Sequence, residues 1–302
     1  MNSRALSMPL FLDFGGRETA ARRVAAALWA MSRPRRTAAA VAAYLTVLLV
    51  AAPAAGPVRH AAFAIVVAAL MAGGCIFNDC VDLEKDRIKH PERPLPSGWI
   101  SRAAAAAVSV VSFALALAAA TVLGESAFAL VAADAALLVL YSWVRMWSGI
   151  LGNMIVATAA GSLVALISFI AAPAPGFVAA GVFVFGVVLS QEIVLDPRGA
   201  PGDGAAGMHS FAIVYGRTAA FALTVLILFA LAGMVVILAV TEAFPGASWF
   251  AGFTLPTLAV LGVAVWAIRR APDAGRFDRF RRTGRLAYLM CAPAAIAAVL
   301  PL

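Results

Sequence analysis

An all-α membrane protein of about nine spanning helices is the fold class this sequence predicts. Three observations carry that prediction. Hydrophobic residues make up 63% of the 302 and charged residues only 13%, about half the ~25% usual in a soluble domain. Apolar runs close to the ~20 residues that a helix needs to cross the hydrocarbon core recur along the chain. Arginine and lysine collect in alternate loops, as they do on the cytoplasmic side of a bilayer.

The elements follow in order. Residues 1–37 form a basic leading segment with Arg17, Arg22, Arg23, Arg33, Arg35 and Arg36, too long for the basic region of a signal peptide. Within it, ETAARRVAAALWAMSR predicts a cytoplasmic, interfacial helix with Trp29 near the headgroups. Residues 38–302 form the membrane domain. Its predicted spans are 38–55, 61–79, 103–123, 127–144, 150–171, 176–195, 218–241, 248–267 and 286–301, the last short enough to tilt or lie partly in the interface. Loops with Lys85, Arg87, Lys89, Arg93 and Arg102, with Arg145, with Arg198 and Arg217, and the run IRRAPDAGRFDRFRR fall on one side. The other side shows GES, APAPG and TEAFPGAS, with Arg59. Positive-inside orientation places the N-terminus in the cytoplasm and the C-terminus outside, in the membrane of a bacterial or archaeal cell. The Phe-rich run GFVAAGVFVFG is expected to face lipid.

The net charge of +8 reads as this topology signal rather than as a nucleic-acid surface, since no exposed aromatics alternate with the basic residues. Cys75, Cys80 and Cys291 show neither zinc nor disulfide spacing and are expected to pack as small apolar groups.

Against this apolar background, the end of the second span is unusual: FNDCVDLEKDRIKHPERPLPSG. Asn78, Asp82 and Asp86 are four residues apart and share one helix face. Like charges at that spacing cost ~0.2–0.5 kcal/mol per pair, a cost that a bound divalent cation reverses. A solvated helix end pairing with Lys85 and Arg87 is the plainer alternative. The sixth span weighs against it, because it ends in SQEIVLDPRGAPGDGAAGMHS. There Glu192 and Asp196 are one turn apart, and Asp203 follows across a Gly/Pro-rich turn. The four-helix separation of the two clusters suggests a duplicated unit with both clusters facing one cavity. Oxygen-only ligands favour Mg²⁺, which keeps waters and bridges to substrate phosphates. Arg87, Lys89 and Arg93 suit the same phosphates. A diphosphate headgroup on a long hydrocarbon tail fits both the clamp and the apolar domain around it.

The stretch Asn78 to Gly98 resembles the first signature of the UbiA-type intramembrane prenyltransferases, N-D-x-x-D-x-x-x-D followed by P-x-R-P-x-P-x-G. Glu192, Asp196, Gly202, Asp203 and Gly207 match the second signature, with Ser210 for its Thr. Tyr141, Ser142 and Asn153 resemble the connection between the family's fourth and fifth helices, and Arg33-Pro34 the start of its first. The resemblance runs from about residue 33 onward. It implies a helix bundle with a cytoplasmic cap, a central apolar cavity and a lateral opening to lipid. It also implies metal ligation and catalysis by Asn78, Asp82, Asp86, Asp196 and Asp203. Substrate binding falls to Arg33, Arg87, Lys89, Arg93, Tyr141, Ser142, Arg145, Asn153 and Glu192. The chain departs from the family at Leu195 for Lys, Gly199 for Asp, Arg36 for Asn, and Arg145-Met146 where Lys usually occupies the second place. The second metal site therefore has fewer ligands: either it is weaker or Asp196 and Asp203 complete it.

The expected reaction is Mg²⁺-assisted ionisation of an isoprenyl diphosphate and transfer of the prenyl group to an acceptor (an aromatic, a quinone precursor or a glycerol phosphate). A cyclase without acceptor, a non-catalytic prenyl-lipid binder and a transporter are the alternatives. A transporter would place its charges at the bilayer midplane; here they sit at helix ends. Tyr141 is expected either to steady a cation with its ring or to belong to the aromatic belt. Asp134, deep in the fourth span, either bonds to a neighbouring helix or faces a cation in the cavity. His209 reads as a loop residue.

Overall fold

The computed structural model describes residues 20–205, 211–270 and 274–299, apart from some side chains, those of Lys89, Met146 and 197–205 among them. Every regular element among the described residues is helical. In chain order these are α1 (Ala20–Met31), α2 (Pro34–Ala51), α3 (Gly56–Val81), α4 (Leu83–Lys89), α5 (Arg102–Thr121), α6 (Glu125–Trp147), α7 (Gly149–Ser168), α8 (Pro175–Ala205), α9 (Phe211–Val240), α10 (Ala247–Arg270) and α11 (Ala274–Val299).

Each predicted span falls on one of the long helices: α2, α3 and α5 to α11. Seven of these, α3 and α5 to α10, are long and apolar enough to cross a membrane. Two differ from expectation in a physical way. The last helix starts at Ala274, so the basic run RFDRFRR is helical rather than a loop, and only Met290–Val299 is strongly apolar. Helix α8 continues to Ala205, where a Gly/Pro-rich turn was expected after Asp196. Gly216 breaks α9 with φ 84°, ψ 159°, so the apolar part of that helix starts where the sequence places it.

The long helices pack in chain order around a ring. Helix α2 touches α3, α3 touches α5 and α6, and contacts continue through α7, α8, α9 and α10 to α11, which returns to α2. Helix α8 also packs on α11 and is the most enclosed span, 67% buried in its apolar window against 22% for α9. Most of the run expected to face lipid is therefore interior: Phe177 and Phe183 are buried, with only Val178 and Val182 turned outward, and Phe183 meets Phe250 edge-on at 5.8 Å. Chain order explains this, because α8 has neighbours on three sides. Lipid contact falls instead to Val110, Val111, Leu115, Phe229, Ile237 and Val263, all exposed. Two buried hydroxyls are satisfied inside their own helix, Thr224 on the Ala220 carbonyl and Thr254 on that of Phe250, and Ser109 of α5 donates across to the Gly73 carbonyl of α3, as a solvent without hydrogen bonds favours.

Helix α1 forms a short outer layer. Its Ala27 and Met31 are buried in a second apolar cluster with Ile76, Cys80, Leu83, Leu95, Ile100 and Ala105. This cluster fastens α1, α4 and the α4–α5 loop onto one end of α3.

Candidate active site

The acidic end of α3 is built by a change of direction at Asp82. That residue ends α3 with φ −78°, ψ 4° and starts α4, yet it keeps helical bonds on both sides: Asp82 N donates to Asn78 O at 2.9 Å and Asp86 N to Asp82 O at 2.8 Å. Asn78, Asp82 and Asp86 thus keep their common side. After α4, Pro91, Pro94 and Pro96 deny the chain further helical hydrogen bonds. The loop instead closes through Arg93 N to His90 O, Ser97 N to Arg93 O and Gly98 N to Leu95 O, with Gly98 at φ 74°. Leu95 and Ile100 anchor it in the apolar cluster. The result aims Arg93 back at Asp86.

Three arginines pair with the carboxylates of Asp79, Asp82 and Asp86, Arg93 reaching Asp79 as well at 4.0 Å. Arg93 Nη1 donates to Asp86 Oδ2 at 2.6 Å. Arg33 Nη2 donates to Asp79 Oδ1 at 2.7 Å. Arg145 Nη2 lies 3.0 Å from Asp82 Oδ2 and 3.3 Å from Oδ1, and its Nη1 reaches Asn78 Oδ1 at 3.4 Å and the Tyr141 hydroxyl at 3.2 Å. Lys85 Nζ stands 4.0 Å from Asp82. Asp79 and Asp86 are 4% and 2% exposed, so these are charges held out of water by direct pairing.

Arg33 is set by backbone geometry. It occupies the left-handed region, φ 51°, ψ 53°, immediately before α2, with Pro34 at the first helical position. The turn brings its guanidinium to α3 across a separation of 46 residues. Arg145 is set by close helix approach. A Cβ on Gly152 would fall 2.8 Å from Arg145 Cβ and 3.5 Å from the Tyr141 ring, so α6 and α7 meet closely because residue 152 has no side chain.

The second cluster lies on α8. Asn153 of α7 donates from Nδ2 to Asp196 Oδ2 at 3.1 Å. Glu192 experiences the charges of Arg36 and Arg145, and Tyr141 those of Arg145, Glu192 and Asp82. The charge of Arg145 thus bears on Glu192 of the second cluster as well as on Asp82 of the first. The Arg145 guanidinium carbon is 5.6 Å from the Tyr141 ring centroid, so the ring packs beside that cation. Ser142 is 1% exposed, and its hydroxyl has no hydrogen-bond partner among the described residues.

Not every expected residue joins. Arg87 pairs with Glu84 at 2.8 Å on an exposed surface, because one residue beyond Asp86 is about 100° around the helix. The side chains of Lys89 and Asp203 lie outside the described residues, as do His209 and Ser210 altogether. Two residues were missed. Asp79 is off the Asn78–Asp82–Asp86 face, yet it is a buried acid in an apolar helix, and that was its signal. Arg36, a departure from the family pattern, brings its charge to bear on Glu192. Asp134 is 2% exposed and accepts from Ser162 of α7 at 2.7 Å, which makes it an interhelical contact within the bundle.

Among the described residues no three His, Cys, Asp or Glu gather closely enough to hold a metal alone. The donors are hard oxygens, Asn78 Oδ1 and both oxygens of Asp82, around a point that a guanidinium occupies. Such a set suits a hard divalent cation that draws its other ligands from water and phosphate. The surrounding arginines suit phosphate oxygens.

Comparison with known proteins gives the family and the fold. Residues 39–290 match the family model described as the UbiA prenyltransferase family. The digeranylgeranylglyceryl phosphate synthase of Methanopyrus kandleri is 33% identical over 233 residues, 75% of this chain and 83% of its own. That of Halobacterium salinarum is 32% identical over 262 residues, 85% of this chain and 92% of its own. Among solved structures, a digeranylgeranylglyceryl phosphate synthase studied in membranes superposes with a TM-score of 0.73 at 20% identity, covering 91% of this chain and 98% of that one. A UbiA homologue from Archaeoglobus fulgidus bound to DMAPP and Mg²⁺ gives 0.70 at 16% identity, covering 91% and 100%. The chain is an integral membrane protein and belongs to the UbiA prenyltransferase family.

Proposed function

We propose that this chain is a Mg²⁺-dependent enzyme that transfers a prenyl group from an isoprenyl diphosphate to the free hydroxyl of a glycerol phosphate carrying a lipid chain. The observation that carries the reading is the convergence of Asn78 and Asp82 with Arg33, Arg93 and Arg145 at one end of an apolar bundle. The acceptor class rests on the relatives, which are digeranylgeranylglyceryl phosphate synthases. The positive-inside rule places this end at the cytoplasmic face, with residues 1–37 as its basic lead.

Asn78, Asp82 and Asp86, with Asp196 and, by the family resemblance, Asp203, would hold Mg²⁺, whose Lewis acidity supports departure of the diphosphate. Arg33, Arg93 and Arg145 take charge on the leaving oxygens. The bond from the allylic carbon to the diphosphate oxygen breaks, and its electron pair leaves with the diphosphate. The Tyr141 ring faces this region and steadies positive charge on the allylic fragment. The apolar walls keep out water, so the acceptor oxygen captures the fragment, forms the new C–O bond and loses its proton. Asp134 is bound to Ser162 and serves as an interhelical contact.

Mass spectrometry of products tests the acceptor. Purified protein receives geranylgeranyl diphosphate with a prenylated glycerol phosphate, an aromatic acid or no acceptor. An ether-linked product with the glycerol phosphate alone is the expected result. A prenylated aromatic, or a cyclised hydrocarbon without acceptor, would replace this reading.

A further inference from the structure

We infer that Asp79 is a positioning residue for the ionisation step: a buried acid that fixes the Arg33 guanidinium where the leaving diphosphate meets it, without ligating the metal. The role rests on the metal–diphosphate reading above. Asp79 lies near the end of α3 and is buried. Its ion pairs are with two of the three arginines that take charge on the leaving oxygens. Arg33 Nη2 donates to Asp79 Oδ1 at 2.7 Å. Arg93 Nη1 stands 4.0 Å from the same oxygen while it donates to Asp86 at 2.6 Å. Charge therefore alternates along one line of contacts, Arg33, Asp79, Arg93 and Asp86. Among the described residues, Asp79 is the acid that reaches both arginines.

Arg33 needs such a hold. Its backbone is left-handed, with φ 51° and ψ 53°, a costly conformation for a residue with a Cβ. Such a conformation persists where the surroundings over-determine it. The side chain is fixed at two points: Nη2 on Asp79, and Nη1 on the Ala30 carbonyl at 3.2 Å, in the last turn of α1. Two fixed nitrogens set the plane of the guanidinium and leave the rest of its fork for phosphate oxygens. The oxygens that suit the metal, on Asn78 and Asp82, meet Arg145 instead. Alignment of the leaving group and affinity for the metal are therefore separable at this helix end.

The test follows pyrophosphate release from geranylgeranyl diphosphate, with Mg²⁺ and a prenylated glycerol phosphate, by the full chain in detergent. Mn²⁺ binding is read separately by electron paramagnetic resonance. Asp79→Asn keeps the shape and removes the charge. Its kcat per folded molecule is expected to fall about tenfold, because a misaligned arginine is lost to the transition state. KM should not rise, since the site has become more positive. Mn²⁺ affinity should change by less than about fivefold, far less than in Asp82→Ala. A merely structural role would lower stability and leave kcat per folded molecule unchanged, and a ligand role would weaken Mn²⁺ as Asp82→Ala does; either result overturns the inference. Arg33→Gln is expected to lower kcat about thirtyfold, and adding Asp79→Asn to it to lower kcat by less than about threefold more. A full further tenfold loss would mean that Asp79 does not act through Arg33. If Asp79→Asn does not fold, Arg33→Lys decides, because it keeps the charge and loses the fork: kcat should fall at least about fivefold with KM within about twofold, and an unchanged kcat overturns the role. If Asp82→Ala keeps Mg²⁺-dependent release and Mn²⁺ binding, the metal–diphosphate reading itself falls. If Asp82→Ala abolishes both while Asp79→Asn turns over at the native rate, only the positioning role falls.

Discussion

Among the described residues, Asp86 is paired by Arg93. Its carboxylate is buried and its ion pair is with Arg93 at 2.6 Å. Arg93→Ala leaves that charge without its partner and is expected to cost ~1–3 kcal/mol in detergent unfolding, with more than tenfold loss of turnover. Arg87→Ala is the contrast: its pair with Glu84 is exposed, so stability should change by less than ~0.5 kcal/mol and turnover by less than twofold. Before the fold was known, spacing alone brought out Asn78, Asp82 and Asp86, because a helix places every fourth residue on one side. Spacing could not say which arginine meets which acid. Arg33 and Asp79 are 46 residues apart in the chain, and only the path from α1 into α2 joins them. Nor could it separate Arg87 from Arg93, since that depends on how the proline loop turns.

Helix approach decides whether the site assembles. Gly152 lets α6 and α7 close around Tyr141 and Arg145. Gly152→Ala is expected to cost ~1–3 kcal/mol through overpacking and to lower turnover more than tenfold by shifting Arg145. Gly161 plays the same part where α7 crosses α8, since its Cβ would lie 2.9 Å from the Gly181 carbonyl oxygen. Gly161→Ala should cost a similar ~1–3 kcal/mol, yet leave Mn²⁺ affinity within about twofold when the folded fraction is counted. Spans were legible because ~20 apolar residues have few alternatives to a membrane helix. The ends were less so. Proline and glycine after Asp196 suggested a turn, but α8 carries on to Ala205. The arginines of α11 suggested a loop, but they begin a helix.

At the scale of the molecule, the ring of helices presents apolar side chains outward and gathers charge at one end. All six tryptophans, Trp29, Trp99, Trp143, Trp147, Trp249 and Trp266, are more than a third exposed, and Arg270 stacks over Trp266 at 4.0 Å. Such residues settle at headgroup level. In reconstituted bilayers, lipids brominated near the glycerol should therefore quench tryptophan fluorescence more than lipids brominated near the tail ends, and the reverse order would mean a different embedding. Which faces meet lipid was the least legible feature: the Phe-rich run of α8 is mostly interior because three neighbours surround it. The central claim is that the acid–arginine end of this bundle ionises an isoprenyl diphosphate. Pyrophosphate release from geranylgeranyl diphosphate, with Mg²⁺ or with EDTA, by the native chain and Asp82→Ala, tests it most directly. Release that requires Mg²⁺ and falls at least a hundredfold in folded Asp82→Ala is the predicted result. Release that persists in EDTA, or that Asp82→Ala leaves unchanged, would contradict it.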